Sequence, residues 1–94
     1  MFKLTDVKDD NDRLEKVNKI KSTFWPLRNI INVVESYEIA INSRKTDFSY
    51  DIAIISEYNT WHDLETYINH PEHQKAIEIC KEIKKEKAVL DYEF

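Results

Sequence analysis

The sequence predicts an α+β domain whose four-stranded antiparallel sheet follows a split βαβ, or ferredoxin-like, order. Three observations carry that prediction. Apolar residues recur every three or four positions over residues 12–25, 60–68 and 71–84, which is the helical period. They alternate over 36–41 and 87–94, which is the strand period, and 50–58 holds a short run apolar on both faces. With the apolar stub at residues 1–4, the order of these segments is β-α-β-β-α-α-β, with the second helix broken in two.

Met1 to Leu4 forms the stub, followed by the polar DVKDDND. Asp12 stands three residues before Glu15, a capping-box spacing that marks a helix start. Leu14, Val17, Ile20 and Phe24 then fall on one stripe of a helix running to about Trp25, and Pro26 stops it. From Ile30 to Ile41 the residues turn β-branched and aromatic, with Tyr37, Ile39 and Ile41 on one face. After the turn-like NSRKTDFS comes YDIAIISEY, where Ile52 and Ile54 point one way and Ala53 and Ile55 the other. A strand apolar on both faces needs cover on both. Two or three helices supply it on one side only, so the other face needs a partner.

Asn59 or Thr60 opens the next helix, with Trp61, Leu64 and Ile68 as its apolar stripe. Pro71 suits only a helix start, where its missing N–H costs nothing, and His70 is extended because it precedes proline. From Pro71 to about Lys84 the stripe is His73, Ala76, Ile77, Cys80 and Ile83, with KEIKKEK (Lys81 to Lys87) as a solvated helix end. KAVLDYEF, Lys87 to Phe94, reads as a closing strand. Glycine is absent, where average usage of about 7% predicts about six or seven, so Asn29, Asn42, Asn59 and Asn69 are expected at the turns.

Ninety-four residues make a single domain, 1–94, with a thin core that a second copy would enlarge. Fourteen basic and 18 acidic residues are interspersed for a net charge of −4, without the basic stripe that nucleic acid requires. No apolar run approaches a membrane span, and the single cysteine, Cys80, allows no internal disulfide or cysteine pair for zinc. A cytoplasmic protein without membrane or nucleic-acid partners is expected.

The chemistry-bearing stretch is YINHPEHQ, Tyr67 to Gln74, which holds two of the three histidines. His73 lies on the inward stripe, where an imidazole is readily moved across neutrality, and the Tyr67 hydroxyl can orient a carbonyl. The plainer alternative is structural. His70 caps the helix that Pro71 opens, and His73 hydrogen-bonds a nearby carbonyl. The two histidines do not share a helical face and no carboxylate stands at a metal spacing, so neither metal nor other cofactor is expected. His62 reads as solvated surface, Trp25 and Trp61 as helix-to-sheet packing, and Cys80 as a buried small hydrophobe.

SYEIAIN (36–42), YDIAIISEY (50–58), WHDLETYINHPEHQ (61–74) and the closing VLDYEF together resemble the stress-responsive α/β-barrel (Dabb) domain family of the dimeric α+β barrel superfamily. The Y-x-x-HPxH run is the most specific marker. The resemblance implies a homodimer in which two sheets face each other with the helices outside, and this covers the second face of YDIAIISEY. It also implies, from a plant polyketide cyclase of the family, that Tyr67 and His73 line a pocket that moves protons. Family members usually carry further apolar residues before FK, with a histidine in the first strand. This chain opens directly at MFKL and has Ala40 where the family has glycine. The leading expectation is a homodimer binding a small apolar or aromatic ligand near Tyr67, His70 and His73. The alternative, from another class, is a cofactor-free cyclase, lyase or monooxygenase using Tyr67 and His73.

Overall fold

A computed structural model describes residues 1–4, 7–44 and 49–93, with Lys85 described by its backbone; part of the NSRKTDFS turn therefore lies outside the described residues. Strands β1 (Phe2–Leu4), β2 (Ser36–Ile41), β3 (Ile52–Glu57) and β4 (Lys84–Lys87) form one antiparallel sheet in the order β2-β3-β1-β4. The helices are α1 (Asp10–Phe24), α2 (Leu27–Ile30), α3 (Trp61–Asn69) and α4 (Pro71–Cys80). β1 lies between β3 and β4, as a split βαβ unit requires. Phe2, Leu4 and Ile52 from the sheet bury against Val17, Ile20 and Phe24 of α1 and against Tyr67, Ala76 and Cys80 of α3 and α4. Each fully buried large side chain among these stabilises the fold by about 1.5–3 kcal/mol.

α1 starts one turn earlier than the Asp12–Glu15 spacing predicts. Asp9 is the N-cap, its carboxylate accepting from the Asp12 N–H at 2.8 Å. Asp12 instead sits in the first turn, where it accepts from the Lys8 N–H and from Lys16 Nζ. Those bonds hold its carboxyl below the ordinary range, the Lys8 amide contributing most. Leu14, expected inside, is 58% exposed. At 100° per residue the arc through Val17, Ile20 and Phe24 leaves Leu14 roughly 90° from its centre.

Pro26 ends α1 but immediately caps α2, so the β-branched run after it does not begin a strand. Leu27 and Ile31 enter the core from this helical turn, and β2 starts at Ser36 rather than Ile30. β2 and β3 pair without interruption from Ser36↔Glu57 to Ile41↔Ile52. The Asp51 carboxylate accepts from the Leu4 N–H at 2.9 Å and forms an ion pair with Arg13, Nε to oxygen 3.5 Å, tying β1 and α1 to the start of β3. Asn42 forms the expected side-chain turn, accepting from the Arg44 N–H, whereas Asn29 and Asn69 are helical.

The end of the chain differs most from expectation. α4 stops at Cys80, a 3-10 turn spans Lys81–Ile83, and β4 is Lys84–Lys87, so KEIKKEK is a turn and a strand instead of a helix end. Ala88–Glu93 has no regular structure. Lys87 already pairs with Phe2 and the Ala88 N–H with the Met1 carbonyl, so the ladder has reached the first residue of β1's side. Alternation without a partner backbone makes no strand. Among the described residues, no helix is long and apolar enough to cross a membrane.

Candidate aromatic and histidine site

The break between α3 and α4 positions the site. Thr60 caps α3 by accepting from the Asp63 N–H at 3.0 Å. The apolar arc of α3 is centred between Leu64 and Tyr67, which leaves Trp61 and Ile68, expected inside, partly exposed on its flanks. Trp25 packs over Tyr37 of β2 and under the Arg28 guanidinium, the helix-to-sheet contact expected, whereas Trp61 is 48% exposed and its Nε1 donates to Glu93 Oε1 at 2.6 Å.

His70 is extended, with φ −62° and ψ 135°, as the residue before proline should be. Its N–H closes α3 on the Tyr67 carbonyl, and its Nδ1 accepts from the Glu72 N–H at 3.1 Å to cap α4. That hinge turns the chain so that the His73 ring comes to 4.4 Å from the Tyr67 ring. His73 Nδ1 lies 3.0 Å from the Ile68 carbonyl oxygen. A carbonyl only accepts, so Nδ1 carries the hydrogen and Nε2 holds the lone pair of the neutral ring. Burial lowers the His73 pKa, the Ile68 carbonyl partly opposes this, and the charges of Lys87 and Lys84 lower it further.

Tyr67 is buried and pairs hydroxyl to hydroxyl with Tyr37 at 2.8 Å. Its ring also lies 5.4 Å from Tyr58, whose hydroxyl donates to Ser56 Oγ at 3.0 Å. Burial pushes the Tyr37 phenol up to about 12 and raises those of Tyr58 and Tyr67 further. All three are protonated at neutral pH and serve as hydrogen-bonding hydroxyls, not as bases.

Of the residues singled out in the sequence, the structure therefore brings Tyr67 and His73 together and gives His70 to the helix junction. Tyr37 and Tyr58 were missed. Tyr37 carried a signal, as the single aromatic on a strand face otherwise made of Ile39 and Ile41. Its ring also lines an open groove of ≈ 320 Å³ with Lys21, Trp25, Glu38 and Ile39. His62 is exposed, and Cys80 is fully buried. Among the described residues, no three His, Cys, Asp or Glu side chains gather as a metal site would require.

A dimeric protein of unknown function with a ferredoxin-like fold from Bacteroides fragilis NCTC 9343 is 33% identical, with 99% of this chain and 89% of that one covered at a TM-score of 0.84. A dimeric ferredoxin-like protein of unknown function from Thermobifida fusca YX shares 21% identity over 92% of this chain and 77% of that one, with a TM-score of 0.68, which bears on the fold alone. Among curated proteins, none matches the chain. The model of the stress responsive A/B barrel domain family matches residues 1–94, the whole length, and the chain belongs to that family.

Proposed function

We propose that the chain acts as a homodimer that binds a small apolar or aromatic ligand beside Tyr67 and His73. The observation that carries this reading is the Tyr37–Tyr67 hydroxyl pair next to a neutral imidazole, inside an interior otherwise lined by apolar side chains. Such sites are mostly apolar with a few convergent polar groups. Tyr37 stands between the groove and Tyr67, so a ligand entering there meets its ring first and replaces its hydroxyl at Tyr67. The dimer is supported by the open face of β3, where Ile55 is 51% exposed, and by the dimeric similar structures.

One observation favours a second reading, a cofactor-free enzyme. The Nδ1 hydrogen bond leaves the His73 Nε2 lone pair available to take a proton, with Tyr67 beside it. His73→Ala separates the two. If His73 transfers protons, turnover of an aromatic or β-keto substrate is abolished while the fold stays intact. If it serves ligand packing and the Ile68 carbonyl, the variant loses thermal stability and ligand affinity, and no turnover is found in the parent. Light scattering showing a stable monomer at micromolar concentration would refute the dimer.

A further inference from the structure

We propose that His73, Lys84 and Lys87 form a binding corner for a small organic anion, of carboxylate chemistry, on the β4 side of the aromatic cluster. The corner is built by an irregularity in β4. Phe2 pairs with Lys87, Lys3 with Glu86, and Leu4 with Lys84, so the register shifts by one residue between Lys3 and Leu4. Directly paired residues share a face of the sheet. Phe2 and Leu4 are buried on the helix side, whereas Lys3 and Glu86 form their ion pair at 3.3 Å on the other. Residues three apart on a regular strand point to opposite faces; the extra residue at position 85 puts both Lys84 and Lys87 on the helix side.

There Lys84 Nζ lies 4.4 Å from the Phe2 ring centroid and 5.5 Å from that of Phe24, and the His73 ring packs edge-on to the same Phe24 at 6.2 Å. Among the described residues, neither lysine has a carboxylate within ion-pair distance. The groups that act on this corner are Lys84 and Lys87 from β4, His70 from the helix junction, the Met1 ammonium beside the two lysines, and the Cys80 sulfur from α4. Burial lowers the Lys84 pKa most, the nearby Cys80 sulfur partly opposes this, and the Lys87 charge lowers it further. In a chain of net charge −4, this is a locally positive corner. The face of two phenylalanines suits a carboxylate borne on an apolar or aromatic body better than a bare inorganic ion.

The test uses the full chain, benzoate as probe and benzamide as its neutral isostere, with binding followed by the His73 ring protons and the Lys84 and Lys87 amides in NMR spectra. Benzoate is expected to shift these signals saturably and to raise the His73 titration midpoint, because an anion favours imidazolium. The double variant K84Q/K87Q should weaken benzoate by at least about fivefold, the order for two partly exposed charge contacts. K84R/K87R, which keeps both charges, should retain it and controls for folding. Equal binding of benzamide overturns the anion assignment while leaving the proposed cleft beside Tyr37 standing. Benzoate shifts that do not saturate, or that are unchanged in the folded K84Q/K87Q variant, also overturn it.

Discussion

The two faces of β3 differ more than its sequence does. On the helix side, Ile52 is 1% exposed and sits in one cluster with Phe2, Ile20 and Phe24; on the other side, three residues further along, Ile55 is 51% exposed. Both are isoleucines on the same six-residue strand. One is a core residue because apolar residues of the helices share its cluster, and the other stays largely exposed. In a domain this small, the second face is an economical place for assembly, since it is already flat, hydrogen-bonded and partly apolar.

That contrast breaks first in the core. Phe24→Ala removes a ring that contacts Phe2 and His73 at once, and is expected to destabilise the fold by about 3–5 kcal/mol, read as a lower urea midpoint. Ile55→Asp addresses the opposite face. It should leave the unfolding of an isolated protomer nearly unchanged but weaken self-association by about 2–3 kcal/mol, roughly 30- to 150-fold, in sedimentation equilibrium. An unchanged dimer would mean that this face is not the interface.

Smaller effects sharpen the picture inside the covered face. Tyr67→Phe leaves the half-buried Tyr37 hydroxyl without its partner and should cost about 1–2 kcal/mol. Adding Tyr37→Phe should cost less than the sum of the single changes, a coupling that a thermodynamic cycle measures directly.

The smallest effect is a pH slope from His73. Its folded pKa lies below the ordinary value of about 6.5, so the unfolded chain takes up the proton first as pH falls. The stability held by the neutral ring is fully present above about pH 7 and declines from about pH 6.5 down through the lowered folded value. Urea midpoints at pH 7.5 and 5.5 should differ less in His73→Asn than in the parent.

Most of the helical and strand pattern was legible because it is local. The stripe Val17, Ile20 and Phe24, the alternation around Ile52 to Ile55, and the HPxH junction at which His70 caps and Pro71 opens a helix all follow from spacing and backbone preference. The pairing of Tyr67 with His73 was legible too, since only five residues, Pro71 among them, separate them. Tyr37 was not, because its hydroxyl meets Tyr67 from 30 residues away, across the sheet. Nor were Lys84 and Lys87, which looked like a solvated run and share the helix side of β4 only through a shifted register.

The sequence by itself determined the order of the four strands and of the three longer helices, the hinge at His70–Pro71 and a strand apolar on both faces. Only the tertiary structure decided which alternating segment is a strand. KAVLDYEF alternates, yet β4 is the KKEK before it, and Leu90 is left 79% exposed. The reason is physical: a helix closes its own hydrogen bonds, whereas a strand exists only where another backbone lies beside it, and β1 offers its short length to Lys84–Lys87.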